Sequence, residues 1–217
     1  MEQQEVIKMP VLDEQQAEIV TKFYDYNADE EDQENGLILY NNRYYQSTGI
    51  DIASADGETF DVIASISGTI SEVKEDPLLG NVIVISHDND VETYYASLAE
   101  VDVQAGDEVS QGDKLGIAGK NLFGQDSGIH VHFEIRKNGI EVNPEEFFNQ
   151  PLSKLDDVQT EEDETKTNTE ADEETAVEED ELDSDSEEDV EQDDVNEDDS
   201  DSETENQPSA ALDHTLS

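Results

Sequence analysis

The chain of 217 residues has no cysteine and no tryptophan, and only 10 Lys and Arg stand against 60 Asp and Glu. Without cysteine there is no disulfide framework, no thiolate zinc site and no thiol chemistry. With so few cations the surface repels phosphate backbones, which excludes nucleic acid as a partner. Anionic lipid head groups are repelled for the same reason, so a basic helix on a membrane surface is excluded too. Long apolar runs are also lacking. Stretches such as Asn81–Ser86 fall far short of the roughly 18 residues of a membrane span. The opening residues, Met1-Glu-Gln-Gln-Glu5, have neither the basic nor the apolar region of a signal peptide. The expectation is a set of residues that includes no membrane anchor.

The acidic excess is unevenly spread. Residues 151–217 hold 29 of the 60 acidic residues, 2 of the 10 basic ones and no aromatic side chain. Ordering a backbone costs roughly 1–2 kcal/mol per residue, and this stretch has too little apolar surface to offset that. A disordered acidic tail is therefore expected over 151–217, after one domain over 1–150.

Within 1–150, short β-branched and aromatic runs recur between turn residues. They place strands near 37–40, 43–46, 49–53, 60–64, 67–74, 80–87, 91–97, 114–118, 130–137 and 140–142. Asn138-Gly139 is a two-residue hairpin signal, and Asp56-Gly57 and Asp88-Asn-Asp90 mark further turns. Glu14–Asp25 fits a helix or a strand. Asn143 and Pro144 suit the start of one helical turn. Closely spaced Gly106, Gly112, Gly116 and Gly119 read as tight corners. They do not read as a phosphate cradle, because no strand–glycine–helix unit accompanies them. The fold expected is all-β, a compact antiparallel sheet of the barrel-sandwich type.

Four histidines are available for chemistry. His214 lies in the tail, and His87 closes an apolar strand, where a structural role is expected. His130-Val-His132 projects two imidazoles from one strand face. That spacing suits two rings aimed at one metal or reaction centre, or two incidental histidines.

Around this pair the motifs become specific. Gly128-Ile-His-Val-His-Phe-Glu-Ile135, Thr93-Tyr-Tyr-Ala-Ser-Leu98, Gly49-Ile-Asp-Ile52, the Val-x-x-Gly-Asp rhythm of 103–116 and Val142-Asn-Pro144 together resemble the lysostaphin or LytM family of zinc endopeptidases. The likeness runs from about Val11 to Phe148. Members cut peptide cross-links of bacterial peptidoglycan on an all-β fold with the metal in a groove. The resemblance implies Asp51 and His132 as zinc ligands and His130 as a catalytic histidine. It also places the family's first ligand, a histidine, on Ser47, and a further catalytic histidine on Ser97.

Those two serines change the expected chemistry. A catalytic zinc takes three protein ligands and leaves a position for water, and a neutral hydroxyl replaces imidazole poorly. Gln46 lies on the opposite strand face from Ser47 and is not expected to stand in. Loss of an oxyanion stabiliser costs on the order of 100-fold. Asp51, His130 and His132, with Ser47 and Ser97, are thus expected to be vestiges, with zinc absent and no peptidase activity. No cofactor is expected.

Both serines, with Asn42-x-Tyr44, Lys74-x-Asp-Pro-x-Leu-Gly80 and Gly119-Lys-Asn-Leu122, resemble a sporulation subgroup of that family. The likeness implies a protein of the forespore membrane that faces the space between two engulfing membranes. Its implied partner is the extracellular domain of stage III sporulation protein AH, in an engulfment and channel-like complex. Such relatives carry an amino-terminal anchor. The function expected is a non-catalytic binding module; the alternatives are a peptidoglycan-binding regulator and a residually active zinc endopeptidase. A biotinyl or lipoyl carrier shares the glycine rhythm but needs a hairpin lysine, and Lys114 lies in the wrong context. An exposed sheet edge is the expected seat for a partner strand; the acidic surface suits either a partner with a basic rim or a salty or alkaline exterior.

Overall fold

A computed structural model describes residues 5–158 of the chain. The elements run β1 (Ala17–Thr21), α1 (Glu30–Asn35), β2 (Leu37–Tyr40), β3 (Arg43–Gln46), β4 (Ile50–Ser54), β5 (Asp61–Ile63) and β6 (Gly68–Asp76). They continue with β7 (Gly80–Ser86), β8 (Val91–Val101), β9 (Glu108–Val109), β10 (Lys114–Ala118), β11 (His130–Lys137) and β12 (Ile140–Val142). Short 3-10 turns separate and follow the last strands.

Local chemistry explains the hairpins. Asn41 and Asn42 have φ of 48° and 59°, Asn89 and Asp90 62° and 53°, and Asn138 and Gly139 51° and 78°. Paired positive φ values make primed turns, whose twist matches that of antiparallel strands, and Asn, Asp and Gly tolerate that conformation best.

The strands assemble antiparallel in the order β1-β4-β11-β8-β7-β6-β9, with β12 on β11 and β10 bridging β5 and β8. The all-β expectation is met. β11 lies inside this sheet, between β4 and β8. Its odd residues Val131, Phe133 and Ile135 are wholly buried in the core with Ile50, Ile52 and Tyr95. Full burial of such side chains is worth about 1.5–3 kcal/mol each. The even residues His130, His132 and Glu134 are also buried, on the opposite face. One strand thus carries the core on one side and the candidate chemistry on the other.

Three features differ from the sequence reading. The ambiguous Glu14–Asp25 segment contains a strand, because β1 pairs with β4. The helix α1 was not expected: its six residues are all polar, so no apolar period reveals it. Asp29 caps it by accepting from the Asp32 N–H at 3.0 Å. It ends at Gly36, where a Cβ would lie 2.9 Å from the Tyr24 Cα, too close for any side chain.

The third difference corrects the domain boundary. Residues 151–158 do not belong to an acidic tail. Pro151 bridges Val6, Leu152–Asp157 form a 3-10 helix, and Leu155 is 0% exposed in the core. Leu152 and Val158 pack beside it, and Lys137 Nζ reaches Asp156 Oδ1 at 3.0 Å. The apolar spacing Leu152, Leu155, Val158 fits a three-residue turn, but the acidic residues around it mask the signal. The rest of the expected tail, with His214, lies outside the described residues. Leu155→Ala is expected to lower unfolding free energy by about 2–5 kcal/mol, measured by urea titration, and ending the chain at Gln150 should cost at least as much.

Candidate functional site

Strand register assembles the site. Asp51 on β4 stands directly opposite His132 on β11, and His132 stands opposite Ala96 on β8. Above them is a groove of about 380 Å³. It is lined by Asp51, His130, His132, Glu134 and Arg136, and its apolar lining comes from Ile38, Leu78, Leu79, Tyr94 and Phe123.

His132 is held from both ends. Its Nδ1 donates to Asp51 Oδ1 at 2.7 Å, and its Nε2 donates to Glu134 Oε1 at 3.1 Å. Ser127 donates to Asp51 Oδ2 at 2.6 Å. Thr48 donates to Glu134 Oε1 at 2.5 Å, and Arg136 Nε donates to Glu134 Oε2 at 2.7 Å. Burial alone would lower the His132 pKa, but the hydrogen bonds and charges of Asp51 and Glu134 outweigh it and push it up to about 10. For Asp51, burial acts upward, yet His132 above all, with His130 and Ser127, brings the carboxyl down to about 2. The site therefore holds an imidazolium between two carboxylates at neutral pH.

His130 is the opposite case. Burial holds its pKa below the ordinary histidine value, so the ring is neutral. Its Nδ1 donates to the Gly128 carbonyl at 3.1 Å. That leaves the Nε2 lone pair, which has no hydrogen-bond partner among the described residues and sits 3.9 Å from Asp51 Oδ2.

The two serines stand apart from this cluster. Ser47 is buried and donates to the Gly49 carbonyl at 2.8 Å. The groove is bordered by its neighbours Gln46 and Thr48 and not by Ser47 itself, so the expectation that Gln46 faces away is not met. Ser97 is buried with φ of 64°, a left-handed conformation inside a strand. Its hydroxyl points to the Gly119 carbonyl at 3.4 Å. The sequence reading thus placed Asp51, His130 and His132 together correctly. Glu134, Thr48, Ser127 and Arg136 were missed; the two-residue period from His130 through Glu134 to Arg136 was the available signal.

Tested against a catalytic zinc, this donor set does not fit. Asp51 Oδ1 and His132 Nδ1 offer two donors, with Glu134 on the other ring nitrogen as an outer carboxylate commonly is, but a catalytic zinc takes three protein ligands. Ser47 spends its hydroxyl on Gly49. Among the described residues no three His, Cys, Asp or Glu side chains are grouped to hold a metal. His87 has the structural surroundings expected of it: Nδ1 donates to the Ser67 carbonyl at 2.8 Å and Nε2 lies 2.8 Å from Thr93 Oγ1.

Residues 45–144 match the model of peptidase family M23. The chain is 46% identical over 160 residues to stage II sporulation protein Q of Bacillus subtilis, covering 74% of this chain and 56% of that protein. It is 40% identical over 97 residues to the DD-carboxypeptidase/endopeptidase Mpg of Neisseria meningitidis, covering 45% of this chain and 21% of that protein. A chain in the solved SpoIIQ–SpoIIIAH pore-forming complex superposes with a TM-score of 0.71 at 46% identity, over 73% of this chain and 100% of that one. An all-β sheet with a groove built from Asp51 and the His130/His132 pair, together with these matches, defines the class: the chain belongs to peptidase family M23. Within that family it is a homologue of stage II sporulation protein Q, and it spans little more than half of that protein's length.

Two outcomes test the charged array. Removing one partner of a buried ion pair typically costs about 3–5 kcal/mol, so Asp51→Ala should lose that much in urea unfolding. A His132 pKa raised in the folded state contributes stability that is fully present below the unfolded value of about 6.5 and disappears as pH rises through about 10. The stability difference between wild type and His132→Asn should therefore shrink as pH rises from 7 to 10.

Proposed function

We propose that this chain is a non-catalytic binding module, a family M23 domain retained as a platform for a protein partner. The observation that carries the reading is Ser47, whose buried hydroxyl donates to the Gly49 carbonyl at 2.8 Å and leaves Asp51 and His132 without the third ligand of a catalytic zinc. The serines at positions 47 and 97 support the same reading, since neither can supply imidazole to a metal or to a developing oxyanion. Zinc is absent from the functional protein on this account, and Ser47, Asp51, Ser97, His130 and His132 are vestiges of the family's site.

The partner follows from the homologue. The solved complex pairs SpoIIQ with SpoIIIAH, and we extend that pairing to this chain. Its place would be the forespore membrane, with the folded domain facing the space between the two membranes. No helix among the described residues is long and apolar enough to cross a membrane.

The test is to titrate the chain with the extracellular domain of SpoIIIAH while measuring zinc by mass spectrometry after purification without added metal. Saturable one-to-one binding with zinc well below one per chain is the expected result. Because the chain carries a net charge of −50, association should slow between roughly 50 and 500 mM salt while dissociation changes little. Stoichiometric zinc that His132→Asn removes, with cleavage of peptidoglycan cross-links, would refute the non-catalytic reading. Absence of binding at any salt would remove the partner.

A further inference from the structure

The ribbon β2–β3 is the least satisfied element of the fold. Among the described residues its strands pair only with each other, and every residue of β3 is exposed. A two-stranded ribbon is marginal in water unless something packs against it. Register assigns its faces. Ile38 opposes Tyr45 and Tyr40 opposes Arg43, while Leu39 opposes Tyr44 and Leu37 opposes Gln46.

The first face is covered. Tyr40 and Tyr45 pack on Phe123 with ring centroids 5.7 and 5.4 Å away. The second face is bare. Leu39 is 46% exposed and Tyr44 70%. Tyr26, 73% exposed, joins that face through its hydroxyl, which donates to Gln46 Oε1 at 3.0 Å. A ribbon with apolar side chains on both faces has the pattern of a strand buried on both sides. Tyr-rich exposed clusters are also the composition of binding hot spots.

Charge says what kind of surface covers it. Helix α1 begins with Glu30, Glu31 and Asp32 and has no basic residue in its last turn. Its Gln33 side chain donates to the Tyr26 carbonyl at 3.0 Å, which fixes this acidic helix beside the patch. A second copy of the chain would bring acid against acid. A protein partner with an apolar centre and a basic rim would meet both features.

We infer that the Leu39–Tyr44–Tyr26 face of the β2–β3 ribbon is the docking surface for the basic-rimmed protein partner of this domain. The inference rests on the binding-module reading and locates its interface on the ribbon, whose Gln46 borders the groove.

The experiment measures binding of the SpoIIIAH extracellular domain to wild type, to Leu39→Ser/Tyr44→Ser and to Leu12→Ser. Leu12 is a control, exposed but outside the ribbon. All substituted residues are exposed, and circular dichroism melting verifies that each variant folds. The double variant should weaken binding about tenfold or more, the Leu12→Ser control should bind as wild type, and backbone amides of 37–46 should gain protection from hydrogen exchange in the complex. If wild type binds and the double variant binds equally well, the docking face is elsewhere although the binding-module reading stands. Equal weakening by Leu12→Ser, or a wild-type dimer in sedimentation that the double variant abolishes, would also overturn the inference. If wild type does not bind at all, the reading fails and the inference goes with it.

Discussion

The imidazolium of His132 between Asp51 and Glu134 is the interaction around which the domain is organised. Burying three ionised groups in a sheet is costly unless each is paired and hydrogen-bonded. The surrounding residues supply that. Ser127 serves Asp51, while Thr48 and Arg136 serve Glu134. These partners come from the segment before β4 and from both ends of β11, so the array ties the centre of the sheet to its flanks. It also depends on register. A slip of one residue between β4 and β11 would send Asp51 and His132 to opposite faces and put a core residue, Ile52 or Phe133, in the groove.

On the proposed non-catalytic reading the array keeps a structural task. The ring proton of His132 balances Asp51, and Glu134 takes the other nitrogen. Other features remain beside it. Ser97 keeps a left-handed backbone within β8, and His130 keeps an unpaired Nε2. Strain and unsatisfied polar atoms of this kind commonly belong to functional sites. Here they flank a centre whose charges are already balanced.

The outer surface has a different logic. The central sheet buries its apolar face completely, but β2–β3 lies outside it and has one face packed on Phe123 and one left bare. Tyr26 packs edge-to-face on Tyr24 at 5.1 Å, while Tyr44 is 70% exposed. On the proposed reading this face at the groove's rim suits a protein partner, and the acidic helix beside it favours one with a basic rim.

Much of this was legible in the residues alone. Period-two runs and Asn, Asp and Gly turns marked the main strands, because side-chain alternation and positive φ are local properties. The spacing of His130 and His132, and serine at positions 47 and 97, pointed to the family and its subgroup for the same reason: they are local identities in recognisable motifs. Other features were decided only by tertiary structure. Asp51 became the partner of His132 because antiparallel register set β4 beside β11. Leu155 proved to be core because a turn of acidic chain folded back beneath Val6 and Phe147, a long-range contact that composition hides. The six polar residues of α1 formed a helix through a cap and a close backbone approach at Gly36. Sequence by itself determined which residues could do chemistry; which of them met, and in what state of charge, was decided by contacts between segments far apart in the chain, where burial sets both the pairing and the pKa.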